Sequence, residues 1–177
     1  DIERTWDAFT DDQLALLERL GVDNFMVLGF CIGGPMIWNL IKRAVDRVAA
    51  AILVHPSGFI SSHPNVFVDL NTQGWAPGFM KYRPDITKAM IAEYLDNMYT
   101  KRADFVFTVD RDYVRNCQTP VLILPDDIPP HPYLTAMETA LLAPNAQVSL
   151  YPWKENDRKI ALALNHIRNF MAINASG

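Results

Sequence analysis

Apolar runs of strand length alternate along this chain with segments in which apolar residues recur at every third or fourth position. The nearly continuous runs cover residues 24–30, 48–54, 120–124 and 146–151. Such runs predict strands that are covered on both faces. Because each right-handed crossover returns the chain to the same end of a sheet, the alternation predicts an α/β fold with a parallel sheet and flanking helices.

The segments between these runs predict helices. The first carries a capping-box pattern over residues 10–13, continues with a leucine stripe and ends at Gly21. A second amphipathic helix follows the first strand up to about Asp46. Residues 132–142 predict a third helix, and the last one carries its apolar positions from Ile160 to Met171.

Residues 58–116 interrupt the alternation. This segment is rich in aromatic residues and proline, with helix-like pieces at residues 85–99 and 113–117. An insertion of this length inside a compact domain is usually functional, so we interpret it as a helical lid. A purely structural helical excursion is the alternative. Residues 1–57 and 117–177 then form the core.

Composition and charge exclude several classes of partner. Sixteen basic and twenty acidic residues give a net charge of −4 and are scattered along the chain, so nucleic-acid binding is not expected. No apolar run approaches the roughly 20 residues that span a bilayer, and the first residues lack a signal-peptide layout, so we expect no membrane and a cytoplasmic location. Two cysteines without a zinc pattern indicate free thiols.

One of these thiols lies in a motif typical of a nucleophile. In Gly29-Phe30-Cys31-Ile32-Gly33 a small reactive side chain stands between two glycines, where a strand turns into a helix. A sharp turn there places the central residue above the sheet, and flanking glycines allow the strand and helix to approach closely. The helix N-terminus favours the thiolate, and the N–H of Ile32 can hold an oxyanion. An inert turn with a buried thiol is the alternative.

The motif and the order of elements around it resemble the α/β-hydrolases from their central strand onward. The glycine-flanked Cys31 is similar to the elbow of dienelactone hydrolases and polyhydroxyalkanoate synthases, which use cysteine instead of the commoner serine. The resemblance covers essentially the whole chain. It implies an α/β-hydrolase fold that is partial, because the four strands with which the family normally begins, and a second oxyanion donor, are missing.

The resemblance also implies an acid at the end of the strand after the lid. Asp127 is our first choice for that acid and Asp126 the second, although either carboxylate could instead cap the following helix. The acid would orient and stabilise an imidazole.

The general base departs from the family pattern. Family members carry a histidine in the loop after the last strand, whereas residues 151–157 contain none. His131 in the acid loop and His55 at the end of the second strand are the candidates to replace it, and Lys154 or Glu155 could stand in its place. His63 and His166 are expected on the surface.

The elbow strand would be an unpaired apolar edge in a sheet built from these residues alone. We therefore expect an N-terminal half, from the same protein or as a separate chain, to pair along residues 24–30. A homo-oligomer is the alternative.

These features predict a hydrolase of an ester, thioester or lactone of a small apolar acid, with Cys31 as nucleophile. Phe30, Trp75 and His55 are expected to contact the substrate. No metal or organic cofactor is indicated. The alternatives are a catalytically degenerate binding or signalling protein on the same scaffold, and a non-hydrolytic enzyme such as a lyase.

Overall fold

A computed structural model describes residues 2–175 and contains one four-stranded sheet. Its strands are β1 (Phe25–Phe30), β2 (Val48–Val54), β3 (Val121–Leu124) and β4 (Ala146–Val148). They lie in the order β1-β2-β3-β4, and all three neighbouring pairs are parallel. The predicted α/β fold class is confirmed. Every strand therefore presents its carboxyl end at the same edge of the sheet, which is where a site can be assembled from several loops.

The central strands are buried on both faces, as the continuous apolar runs predicted. Ala51 and Leu53 of β2 pack into a cluster with α2 (Gly33–Arg43) and α7 (Tyr133–Leu142). Ile52 and its neighbours at alternate positions pack on the opposite face against α8 (Asp157–Asn174). Since side chains alternate along a strand, two helical layers bury the sheet from both sides.

The first helix, α1 (Thr5–Arg19), begins five residues before the predicted capping box. Thr10 is not its N-cap: the hydroxyl donates a hydrogen bond of 3.2 Å to the carbonyl of Trp6, and both residues are buried. The prediction was wrong because tertiary burial of Trp6 extends the helix backward past a good local stop signal.

The insertion is helical over more of its length than predicted. It contains α3 (Val66–Gln73), α4 (Trp75–Tyr82), α5 (Lys88–Leu95), a π-helical turn at Asp96–Thr100 and α6 (Arg111–Asn116). Its apolar side chains form a cluster that also contacts Ile32 and Met36 at the start of α2. The insertion therefore packs beside the Cys31 turn, while its role as a lid, and the domain boundaries at 58 and 116, stay predictions.

β1 is an edge strand among the residues that the structure describes. Leu28 and Phe30 are 43% and 55% exposed on it. Pairing of this edge with an N-terminal half or a second copy stays a prediction. No helix within residues 2–175 has the length and apolar character needed to cross a bilayer.

Candidate active site

The turn after β1 holds Cys31 in a left-handed backbone conformation, with φ of +52°. A non-glycine residue adopts this conformation only where its surroundings enforce it, and such strain is common at functional sites. The amide of Cys31 donates to the carbonyl of Val54 at 3.1 Å, and its own carbonyl accepts from the amides of Gly34 and Ser57, each at 2.9 Å. These bonds fix the turn against the end of β2.

The glycines around Cys31 serve different purposes. A Cβ on Gly29 would lie 2.9 Å from Ile37 and 3.0 Å from the backbone of Gly33, so close packing requires glycine there. A Cβ on Gly33 would meet nothing within 4 Å, whereas one on Gly34 would lie 2.6 Å from Pro56. The expected close approach is confirmed at Gly29 and lies at Gly34 rather than Gly33 on the other side.

The acid and a histidine both come from the loop after β3. Nδ1 of His131 lies 3.2 Å from Oδ2 of Asp126. A pair of backbone hydrogen bonds between Ile128 and His131 closes a tight turn that folds His131 back towards the carboxylate. Asp126 is buried and Asp127 is exposed.

The geometry therefore corrects the order of the two carboxylate candidates. Asp126, the second choice, contacts the imidazole, while Asp127 donates its backbone N–H to the Asp126 carboxylate. The tight turn decides this, because it brings His131 over the first of the two adjacent residues. Burial alone would raise the pKa of Asp126, but hydrogen bonds from Lys154, His131 and the Asp127 amide outweigh it and lower that pKa.

Cys31 and His131 perturb each other. Partial burial raises the pKa of the Cys31 thiol, but the His131 imidazole, the Ser57 hydroxyl and the Ile32 amide together lower that pKa below its ordinary value. Burial disfavours the imidazolium of His131, but Cys31 and Asp126 outweigh that effect and raise its pKa. Both shifts favour a thiolate–imidazolium pair.

The contact between thiol and imidazole is loose in this conformation. Nε2 of His131 is buried and has no hydrogen-bond partner among residues 2–175. Sγ of Cys31 lies 3.3 Å from Oγ of Ser57. Catalytic hydrogen bonds are often long before substrate binds. Ser57 was not singled out in the sequence, although a position three residues beyond the end of β2 belongs to the same sheet edge as Cys31.

Lys154 stands in the loop after β4, where the family carries its histidine. Its Nζ lies 2.6 Å from Oδ2 of Asp126. The neighbouring Trp153 donates from Nε1 to the carbonyl of Pro125 at 3.0 Å and stacks on His55 at a centroid distance of 5.9 Å. This loop therefore braces the acid loop. No pattern along the chain indicated the role of Trp153.

His55 lies beside the site rather than in line with the thiol. Its ring centroid is 4.7 Å from that of His131 and 5.5 Å from that of Phe30. Its φ is +37°, and its Nδ1 is buried without a partner among the described residues. Burial, together with the positive charges of His131 and Lys154, lowers the pKa of His55, so it is neutral at physiological pH.

Trp75 lies farther away, in the insertion. It lines an apolar cavity of about 460 Å³ together with Phe79 and Tyr94. The structure does not bring Trp75 into contact with Cys31. Burial raises the pKa of the Tyr99 phenol, also in the insertion, and the charges of Tyr94 and Cys31 add to that rise. Tyr99 was missed in the sequence because its spacing there indicates only a helical core position.

The site offers protein groups for acyl transfer: a nucleophile, a base, an acid and an amide donor. Within residues 2–175 no group of three or more His, Cys, Asp or Glu side chains is arranged to hold a metal ion.

Comparison with known proteins assigns the family. Residues 4–141 match the model of the alpha/beta hydrolase fold, and the chain belongs to that family. A segment of 79 residues is 32% identical to the carboxylesterase YbfK of Bacillus subtilis. This segment makes up 44% of this chain and 22% of that protein. The match thus spans less than a quarter of that relative's length.

Solved structures agree on the fold. A meta-cleavage product hydrolase of Pseudomonas fluorescens has a TM-score of 0.64 at 12% identity, over 94% of this chain and 71% of that chain. The esterase RhEst1 of a Rhodococcus species has a TM-score of 0.59 at 19% identity, over 97% of this chain and 74% of that chain. At these identities the likeness concerns the fold alone.

Proposed function

We propose that this chain is the catalytic part of a carboxylic ester or thioester hydrolase, in which Cys31 is the nucleophile, His131 the base and Asp126 the residue that orients the base. One observation carries the proposal. A cysteine on a strained strand-to-helix turn shares its site with a histidine whose Nδ1 lies 3.2 Å from a buried carboxylate. The similarity to a carboxylesterase supports the reaction class.

The unpaired Nε2 of His131 also supports this reading. A buried ring nitrogen without a partner costs free energy, and proteins retain such groups at sites where they have a chemical role. The alternative of a catalytically inactive binding protein was motivated by the absence of a histidine after β4. The arrangement around His131 offers a base from another loop, so hydrolysis is the better supported function.

The reaction proceeds in two halves. The Sγ proton of Cys31 passes to Nε2 of His131, sulfur bonds to the substrate carbonyl carbon, and the resulting oxyanion accepts the N–H of Ile32. As the oxyanion collapses, the leaving alkoxide or thiolate takes the proton from His131 and departs, and an acyl thioester remains. Water then gives a proton to His131 and attacks the thioester carbonyl carbon. The C–S bond breaks as this second intermediate collapses, the carboxylic acid is released, and the Cys31 thiolate takes the proton back from His131.

The substrate is a small apolar acyl compound. The insertion holds an apolar cavity with Trp75, Phe79 and Tyr94 on its wall, and its size and lining suit a small acyl group. Phe30 and His55 stand at the exposed side of the site, where a leaving group would depart. A lactone carries the same carbonyl and fits the same chemistry.

The decisive experiment measures hydrolysis of p-nitrophenyl acetate and butyrate by the Cys31→Ala variant. We expect kcat/KM to fall by about a thousandfold or more, because no other nucleophile replaces the thiol. Cys117→Ala is the matched control, since that thiol is buried in the core and should leave turnover unchanged. Turnover that survives in Cys31→Ala would refute the mechanism.

A further inference from the structure

Two cationic side chains contact one carboxylate oxygen in this site. Nζ of Lys154 lies 2.6 Å from Oδ2 of Asp126, and Nδ1 of His131 lies 3.2 Å from the same oxygen. The Asp126 side chain is only 9% exposed, whereas that of Lys154 is 45% exposed. The ammonium group thus reaches from solvent into a buried pair, and the three groups form one network.

The loop after β4 holds Lys154 in this place. Trp153 ties the loop to Pro125 through its Nε1 hydrogen bond, and the Lys154 ammonium lies 5.9 Å from the centre of the Trp153 ring. The Lys154 ammonium group therefore starts from a loop that is tied to the acid loop next to Asp126. The next acidic residue, Glu155, pairs with Lys159 and does not compete for it.

We propose that Lys154 is a positioning residue for His131: it fixes the Asp126 carboxylate against Nδ1 and withdraws part of its negative charge. This inference rests on the proposed function. An isolated buried carboxylate would hold the imidazolium proton very tightly, and a base that cannot release its proton cannot protonate a leaving group. Sharing Oδ2 with an ammonium group weakens that hold while the geometry is kept.

Other ionisable groups surround the network from each neighbouring element. They are Cys31 after β1, His55 after β2, Asp127 in the acid loop, Tyr133 at the start of α7 and Tyr151 after β4. Hydrogen bonds to the Asp126 carboxylate come from Lys154, from His131 and from the backbone of Asp127. Lys154 contacts Asp126 and is not among the groups that shift the pKa of His131 directly, so its removal acts on His131 through the carboxylate.

The test replaces Lys154 with methionine, which keeps most of the side-chain volume and removes the charge. We expect the NMR titration of His131 to move to higher pH and kcat/KM for p-nitrophenyl acetate to fall roughly tenfold, the order of one charged hydrogen bond. Lys154→Arg should restore both. Lys159→Met is the control, because that lysine also pairs with a carboxylate but lies outside the network.

A double variant separates an effect through Asp126 from a direct one. In an Asp126→Asn background, Lys154→Met should leave the His131 titration where Asp126→Asn alone puts it. The proposal is overturned if Lys154→Met titrates like the wild type, or if its shift persists without the carboxylate. Lys154→Gln replaces it if circular dichroism shows that Lys154→Met is unfolded. The titration needs no turnover, so its outcome is independent of the Cys31→Ala assay.

Discussion

The loops that leave β3 and β4 lie against each other at one edge of the sheet but do different work. The loop after β3 carries both Asp126 and His131 and closes on itself through a tight turn. The loop after β4, where the family pattern has a histidine that this chain lacks, instead contributes Lys154 and Trp153, and both of these contact the first loop.

The difference shows that this site depends on which side chains meet at the edge of the sheet rather than on which loop carries each of them. Parallel strands bring their carboxyl ends together, so neighbouring loops can exchange roles without any change in the sheet. In the proposed mechanism the base stands in the acid loop, and the neighbouring loop contacts the acid through Lys154.

The largest effect is expected when the proposed base, His131, is removed from the loop after β3. His131→Ala should lower kcat/KM by at least about a hundredfold, because a positioned general base contributes that much or more. The apparent pKa of Cys31, measured by iodoacetamide alkylation against pH, should rise because the imidazole no longer stabilises the thiolate. His166→Ala, a surface change, is the control. An unchanged alkylation profile in His131→Ala would contradict the assignment.

A smaller effect is expected from the acid. In the native protein Asp126 raises the pKa of His131, so Asp126→Asn should lower that pKa and remove the imidazolium at lower pH. Because the leaving group takes its proton from the imidazolium, the alkaline limb of the pH–rate profile should therefore move to lower pH, with about a tenfold or greater loss of kcat. Asp127→Asn should leave the pH–rate profile unchanged. If Asp127→Asn instead shifted the alkaline limb of the pH–rate profile, the assignment of Asp126 rather than Asp127 as the partner of His131 would be wrong.

The smallest effect is expected from Trp153, which ties the loop after β4 to the acid loop. Trp153→Phe keeps an aromatic ring for His55 but removes the hydrogen bond to Pro125. We expect a loss of about 1 kcal/mol in stability, which corresponds to a fall of about 3 °C in Tm for a chain of this size. Activity should change less than in the Lys154→Met variant. Calorimetry measures the first quantity, and an unchanged Tm would show that the loop is not braced there.

Local patterns in the sequence predicted much of the fold. The apolar runs at β1 and β2 fall within one residue of the observed strands, and the parallel sheet follows from their alternation with helices. The Cys31 turn was also predictable, because the close packing that requires glycine at Gly29 involves residues nearby in the sequence. The missed helices α3 and α4 lie in the insertion, where packing against neighbouring helices rather than their own periodicity stabilises them.

The order of residues along the chain was enough to identify the groups that could take part in chemistry: one thiol on a sharp turn, a carboxylate pair after the third strand and a small number of histidines. The contact of Asp126 rather than Asp127 with His131, and the sharing of its oxygen with Lys154, became visible only in the folded chain. The physical reason is that strand and helix periods are set by neighbouring residues, whereas hydrogen bonds between loops depend on distances across the sheet that no local pattern encodes.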